Sequence, residues 1–232
     1  IYVKRNTFKW VYYGYGDGAG MNFEGGVKDI LEVDSNTLVQ FINHGIYVNT
    51  PSGGRSKVRW NKLYDIRDVG IYMDGEGGEY IGNRILGISS GTGIVVRSRG
   101  ALVANNYVHA VGLGNSKGIN LQDVGSSSRI LFNSVNIVGT DIVNGRALEV
   151  QGGSDYIIKN NIFANTGGGY AAYLGSDVSS FDISNNNYYS SKSRLGFYNG
   201  KTYDTLTTFA TATGKDALSI DVNPYYLSDT SL

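Results

Sequence analysis

The sequence predicts an all-β chain wound as a right-handed parallel β-helix, a solenoid of about eight coils with a short C-terminal helix and an extended tail. Two interleaved motifs with one shared period and a Gly-rich, Pro-poor composition lead to that prediction. The first motif is a small residue followed by apolar-x-apolar. It begins at Gly20, Gly45, Gly70, Gly93, Gly118, Ala147 and Ala171, with a degenerate copy at Gly196-Phe197-Tyr198. The second is Asn-x-apolar, beginning at Asn6, Asn36, Asn61, Asn83, Asn106, Asn133, Asn161 and Asn187. The two series alternate without a miss, which neither motif alone would make informative.

Each motif alternates apolar and polar residues, the period of a strand and not of a helix. A third run of the same kind precedes the Asn, as in Lys57-Val58-Arg59-Trp60, Ala101-Leu102-Val103-Ala104 and Tyr156-Ile157-Ile158-Lys159. Three short strands per coil, stacked in parallel register, bury every apolar column at once. The Asn amide both donates and accepts, so one per coil can bond those above and below. Tolerance of left-handed turns accounts for the same Asn without a ladder. Gly at the other corner suits a sharp turn with positive φ.

The chain holds 33 Gly and 2 Pro in 232 residues, which argues for many tight turns and against collagen or Pro-rich linkers. A hydrophobic share of 41% with 18 Tyr supports a packed core. Twenty basic residues balance 20 acidic ones, so nothing points to nucleic acid or an anionic membrane. The absence of Cys excludes disulfides and thiolate metal sites. No apolar run is long enough for membrane insertion. Ile1 falls inside a coil, so N-terminal coils or a cap are expected to be missing. Residues 1–200 are expected to form the coils, and 201–232 a helix and tail covering or flanking the last one. Asp204 is placed to cap the helix and Gly214 to end it.

The stretches Val103-Ala104-Asn105-Asn106-Tyr107-Val108 and Ile158-Lys159-Asn160-Asn161-Ile162-Phe163 resemble the right-handed parallel β-helix repeat family, the pectate-lyase-like superfamily in its secreted bacterial form. The resemblance covers about residues 1–200. It implies the fold, a secreted or cell-surface location, and a polysaccharide or cell-surface glycan as partner. The family spans lyases, hydrolases, epimerases, adhesins and phage spikes, so it implies no single activity.

In the small-apolar-x-apolar strand the x residue faces outward. That column runs Asn22, Tyr47, Tyr72, Val95, Asn120, Glu149, Tyr173 and Tyr198; the next, two residues on, runs Glu24, Asn49, Asp74, Arg97, Gln122, Gln151 and Gly175. Aromatic rings stack on sugars while amides and carboxylates bond hydroxyls, which makes Tyr47, Tyr72, Asp74, Asn120, Gln122, Glu149 and Tyr173 the candidate glycan-binding residues. A solvated sheet face rich in β-prone Tyr accounts for the same pattern. A lyase reading requires cations near a uronate, and Arg97 and Arg99 are the candidates, with Lys117 and Arg146 on neighbouring coils.

Asp74, Glu76 and Asp123 are too few for a Ca2+ cluster, so no metal or other cofactor is expected. Paired aspartates of the glycoside-hydrolase kind are not visible. His44 and His109 fall on different faces. Ser89 in Gly87-Ile88-Ser89-Ser90-Gly91 has nucleophile-elbow spacing without the required strand-to-helix turn. The run from Gly14 to Gly20 precedes no helix and reads as a loop. Two functions stay open: a secreted or cell-surface β-helix that binds a polysaccharide, with lyase or hydrolase processing undecided, and a non-catalytic structural or adhesin module of a larger surface protein. The motifs carry no information on oligomeric state.

Overall fold

The three apolar–polar runs of each coil form three short strands, and each strand pairs in parallel with its counterpart one coil on. The computed structural model describes residues 1–9, 19–25, 30–50, 55–110, 112, 114–122 and 126–226. Sheet A contains Tyr2–Lys4, Ile30–Asp34, Arg55–Arg59, Glu79–Ile81, Leu102–Ala104, Arg129–Leu131, Ile157–Lys159 and Asp182–Ser184. Sheet B contains Thr7–Lys9, Thr37–Val39, Lys62–Tyr64, Arg84–Ile88, Tyr107–Ala110, Ser134–Ile137, Ile162–Asn165 and Asn187–Ser190. Sheet C contains Met21–Glu24, His44–Thr50, Val69–Gly75, Thr92–Val96, Lys117–Leu121, Arg146–Val150, Tyr170–Leu174 and Gly196–Tyr198; a ninth strand, Lys201–Tyr203, folds back antiparallel on the last. The result is a right-handed parallel β-solenoid of about seven turns, counted here as rungs 1 to 8 by strand triplet.

The interior is one continuous apolar column. Sheet A supplies Val58, Val103 and Ile158, sheet B Leu63, Val108 and Phe163, and sheet C Ile71, Met73, Ile119 and Leu121, all without solvent exposure. No rung buries its own core; each needs the rung on either side.

Between sheets A and B every rung turns through one left-handed residue followed by the ladder Asn. The left-handed residues are Arg5, Ser35, Trp60, Gly82, Asn105, Phe132, Asn160 and Asn185, with φ between 54° and 66°. Trp60 therefore belongs to the corner and not to the strand, which ends at Arg59. A bulky residue in this region costs about 1–3 kcal/mol. The corner is held by the next rung, as where the Trp60 N–H donates to Ile81 O and the Phe132 N–H to Lys159 O.

The Asn series forms a hydrogen-bonded ladder from Asn6 to Asn186. At each step the backbone N–H (2.9–3.1 Å) and the Nδ2 (2.9–3.2 Å) of one Asn both donate to the Oδ1 of the next. From Asn36 onward Nδ2 also donates to a carbonyl of the preceding rung, from Val3 O to Ile158 O. The last ladder residue is Asn186, not Asn187. Strand pairing decides it, because Tyr188 aligns with Phe163 and so sets Asn186 against Asn161. Asn187 instead grips the tail, donating to Val222 O and accepting from the Val222 N–H.

The repeated glycines fall among the first residues of the sheet C strands, not at a corner, and are used for close approach and not for positive φ. A Cβ on Gly45 would lie 2.5 Å from Leu63 and 2.7 Å from Gly70 O; on Gly93 it would lie 2.2 Å from Val108. Neither glycine is left-handed.

The helix spans Leu206–Thr213. Thr205, not Asp204, caps it, because Thr205 is the last extended residue and its side chain accepts the Thr208 N–H; Gly214 ends it at φ 65°. Buried Phe209 covers the last rung, resting where a Cβ on Gly196 would sit at 2.4 Å. The tail then runs back over sheet B, with Tyr226 bonded to Ser134 at 2.8 Å.

Candidate functional site

The outer face of sheet C carries the predicted outward columns. Register places Asn22, Tyr47, Tyr72, Val95, Asn120, Glu149 and Tyr173 in line. The line ends at Phe197 and not at Tyr198: Phe197 pairs with Tyr173, and Tyr198 packs inward beside the core. A second line holds Glu24, Asn49 and Asp74 and continues past the strand ends through Arg97, Gln122 and Gln151, whose N–H groups donate to Met73 O, Val96 O and Leu121 O in turn. A third holds His44, Val69, Thr92, Lys117, Arg146 and Tyr170.

Aromatic groups stand toward both ends of this face. Tyr47 and Tyr72 stack at 4.8 Å with 10° between their planes, and His44 meets both rings edge-on. Burial lowers the His44 pKa against the opposing effect of Asp68. Burial also raises the Tyr72 pKa, while Arg97 opposes it by charge and hydrogen bond. At the other end Tyr173 and Phe197 stack at 4.2 Å and Arg146 lies over the Tyr173 ring at 3.5 Å. Tyr173 thus lies between a guanidinium one rung back and a phenyl ring one rung on.

The middle of the face is an ion cluster. Glu149 has no exposed surface; Lys117 Nζ lies 2.6 Å from its Oε2, and Arg146 bonds its Oε1. Two cations share one carboxylate, which leaves an excess positive charge. Beside them the buried Asn120 has no donor to its Oδ1.

A family model described as the right-handed beta helix region matches residues 44–209. The chain belongs to the right-handed β-helix family. No curated protein and no solved structure matches it.

In this β-helix protein six of the seven predicted glycan-contact residues lie in sheet C strands and Gln122 directly follows one, but their settings differ. Tyr47, Tyr72, Asp74, Gln122 and Tyr173 are half-buried; Asn120 and Glu149 are buried. Glu149 faces outward by register but is covered by the long side chains of Lys117 and Arg146, which alternation alone does not reveal. Arg97 is held by Asp74 at 3.5 Å. Arg97 and Arg99 both lie past the strand that ends at Val96, and the backbone of Arg99 forms a parallel β-bridge with Glu76. His44 sits on sheet C and His109 is buried on sheet B. Ser89 follows a strand with no helix after it. Asp123 and residues 14–18 lie outside the described residues. Among the described residues no group of three His, Cys, Asp or Glu could hold a metal, and no helix is long and apolar enough to cross a membrane.

Sequence reasoning passed over two exposed aromatics of the A–B corner. Trp60 and Phe132 are each 56% exposed and left-handed. The signal was available: both directly precede a ladder Asn, the slot occupied by Asn at 105 and 160.

Proposed function

We propose that the outer face of sheet C binds a polysaccharide that carries acid groups, and that the protein works outside the cell or at its surface, where such polymers lie. The observation that carries this is the sharing of Glu149 by Lys117 and Arg146 between two aromatic groups. A surplus cation in a partly desolvated setting attracts an anionic polymer more strongly than a solvated one. Gln122, half-buried, and Gln151, exposed, offer amide groups to sugar hydroxyls beside the cluster, whereas Asn120 lies beneath the surface. Recognition uses edges and polar groups more than ring faces, because Tyr47 stacks on Tyr72 and Tyr173 on Phe197. Binding is favoured over cleavage: a carboxylate held by two cations is not free to act as acid or base on a substrate.

The test is affinity electrophoresis on polygalacturonate and alginate at low and high salt. Wild type should be retarded at low salt and released at high salt. Lys117→Met should weaken retardation. No retardation of wild type by either polymer would refute the proposal.

A further inference from the structure

We infer that the corner between sheets A and B is a second carbohydrate-binding surface, which stacks a neutral polysaccharide chain on Trp60 and Phe132 and bonds its hydroxyls through the neighbouring Asn amides. It shares no residue with sheet C and does not depend on that face binding anything.

The first observation is an unexplained choice of residue. Left-handed backbone favours Gly and Asn, and the corner uses Gly82, Asn105, Asn160 and Asn185 accordingly, with the polar Arg5 and Ser35 in the first two rungs. Trp60 and Phe132 hold the same strained geometry and are each 56% exposed, so core packing does not explain them. Strain kept at an exposed aromatic points to a use for that aromatic.

The second observation is how Trp60 is seated. A Cβ on Gly82 would lie 2.2 Å from both Cε3 and Cζ3 of the indole. Gly82 is the corner residue of the next rung, and its missing side chain lets the indole lie against that rung. One side of the ring meets backbone while more than half of the residue remains in solvent. This is a platform, the arrangement that receives the apolar face of a sugar ring.

The third is continuity. Phe132 is three rungs beyond Trp60, about 14 Å at the spacing of parallel strands. Asn105 lies between them; Asn160 and Asn185 follow. The line then enters a cleft of about 410 Å³ lined by Asn160, Asn185, Asn187, Ile162, Leu218 and Ile220. That volume is in the range of small-ligand sites.

Charge chooses the ligand. From Trp60 to Asn185 the corner column contains no ionisable side chain. The flanking Arg59 and Lys159 are paired with Glu79 and Asp182, and Lys62 and Arg84 stand on sheet B outside the column, so the column itself presents two flat rings and three amides, which match a neutral chain of pyranoses.

The experiment uses the whole chain with soluble xylan, galactomannan and mixed-linkage β-glucan in affinity electrophoresis, and cellulose in a pull-down. The variants are Trp60→Asn, Phe132→Asn and the double variant. Asn already occupies this corner in three rungs, so the variants should fold and melt at the same temperature as wild type or higher. Wild type should bind at least one probe; each single variant should bind about tenfold more weakly or worse, and the double variant not at all. Lys117→Met should leave this binding unchanged while weakening retardation on polygalacturonate, which separates the two surfaces. Wild type that binds none of the four probes overturns the inference, as does a folded double variant, checked by circular dichroism, that binds like wild type. If the double variant does not fold, Phe132→Asn alone decides by the same criterion. Binding to phosphatidylcholine vesicles with no binding to any glycan also overturns it.

Discussion

The backbone N–H of Asn186 donates to the hydroxyl of Ser219 at 2.9 Å, where every earlier ladder residue finds the Oδ1 of another Asn. Asp216 completes the substitution: its Oδ1 accepts Asn186 Nδ2 at 3.4 Å and the Ser219 hydroxyl at 2.6 Å. The tail therefore supplies, from two residues, the two acceptances that the single Oδ1 of a ninth Asn would supply. Ser219→Ala removes the acceptor of a part-buried N–H. The expected loss is about 1–3 kcal/mol. Much of it should appear as local opening of the tail, read as faster amide exchange from Lys215 to Tyr226 with the rungs before 7 unchanged.

The same cap predicts a pH dependence. Burial holds the Asp216 carboxyl above the usual carboxylate range, against the lowering effect of hydrogen bonds from Ser219, Asn186 and Tyr188. The folded state then takes up the proton more readily than the unfolded state. The resulting stabilisation is fully present below the unfolded value of about 3.9 and is lost as pH rises through the folded value. Asp177, near the Lys215 contact at Ser179 O, has the opposite sign: hydrogen bonds from Ser179 lower its pKa, so its contribution is lost in acid. Asp216→Asn separates the two. Protection factors of the tail should rise from about pH 7 to about pH 4 more in wild type than in Asp216→Asn. Equal slopes would show that Asp216 does not titrate against the cap.

The ladder should be most sensitive at its centre. Asn106 receives the N–H and Nδ2 of Asn83 and donates its own to Asn133 Oδ1 and Tyr80 O. Asn106→Ala leaves several buried groups without partners, and the expected destabilisation is about 3 kcal/mol or more. Asn6 is exposed at the end of the series and has fewer partners, so Asn6→Ala should cost well under half as much. Urea denaturation of the two variants measures the ratio. Asn106→Asp keeps the acceptor and removes the Nδ2 donor, and should fall between.

How much of this was visible in the sequence depends on where the signal lay. The period, the three strands and the Asn column followed from motif spacing, because each rung repeats the same physical demand. The last copies did not. The run Asn185-Asn186-Asn187 contains three possible ladder residues, and only the alignment of Tyr188 with Phe163 selects Asn186. Gly196-Phe197-Tyr198 misled in the same way, because strand pairing aligns Gly196 with Ala172 and not with Ala171, so Phe197 takes the outward place. The sheet C columns were placed by alternation, but the burial of Glu149 depends on side chains from neighbouring rungs, and periodicity along one strand does not report it. Trp60 was read as the end of a strand because its left-handed φ leaves no mark in a hydrophobic pattern.

The Glu149 cluster gives a prediction that separates stability from binding. Removing one member of a buried ion group leaves the others unpaired, at a cost of about 3–5 kcal/mol. Glu149→Gln should therefore lower the melting temperature strongly. Adding Lys117→Met to it removes one of the stranded cations and should recover part of the loss. On polygalacturonate the single variant, where folded, should bind more tightly than wild type, because both cations are then uncompensated. The double variant should bind no more tightly than wild type, since one cation again remains.

Close approach at the sheet C glycines gives the last prediction. A Cβ on Gly118 would lie 2.1 Å from Val135 Cγ1 and 2.4 Å from Ala147 O. The first contact is a side chain that can be shortened; the second is backbone in the next rung. Gly118→Ala should cost about 1–3 kcal/mol through overpacking. Gly118→Ala with Val135→Ala should not return to the stability of Val135→Ala alone, because the carbonyl contact persists. Gly100→Ala is the comparison: its Cβ meets nothing within 4 Å, so only the left-handed φ of 70° opposes it. That strain costs about 1 kcal/mol. Urea midpoints that show Gly118→Ala as the less damaging change would mean that the contacts with Val135 and Ala147 O relax at little cost and that close approach does not require glycine there.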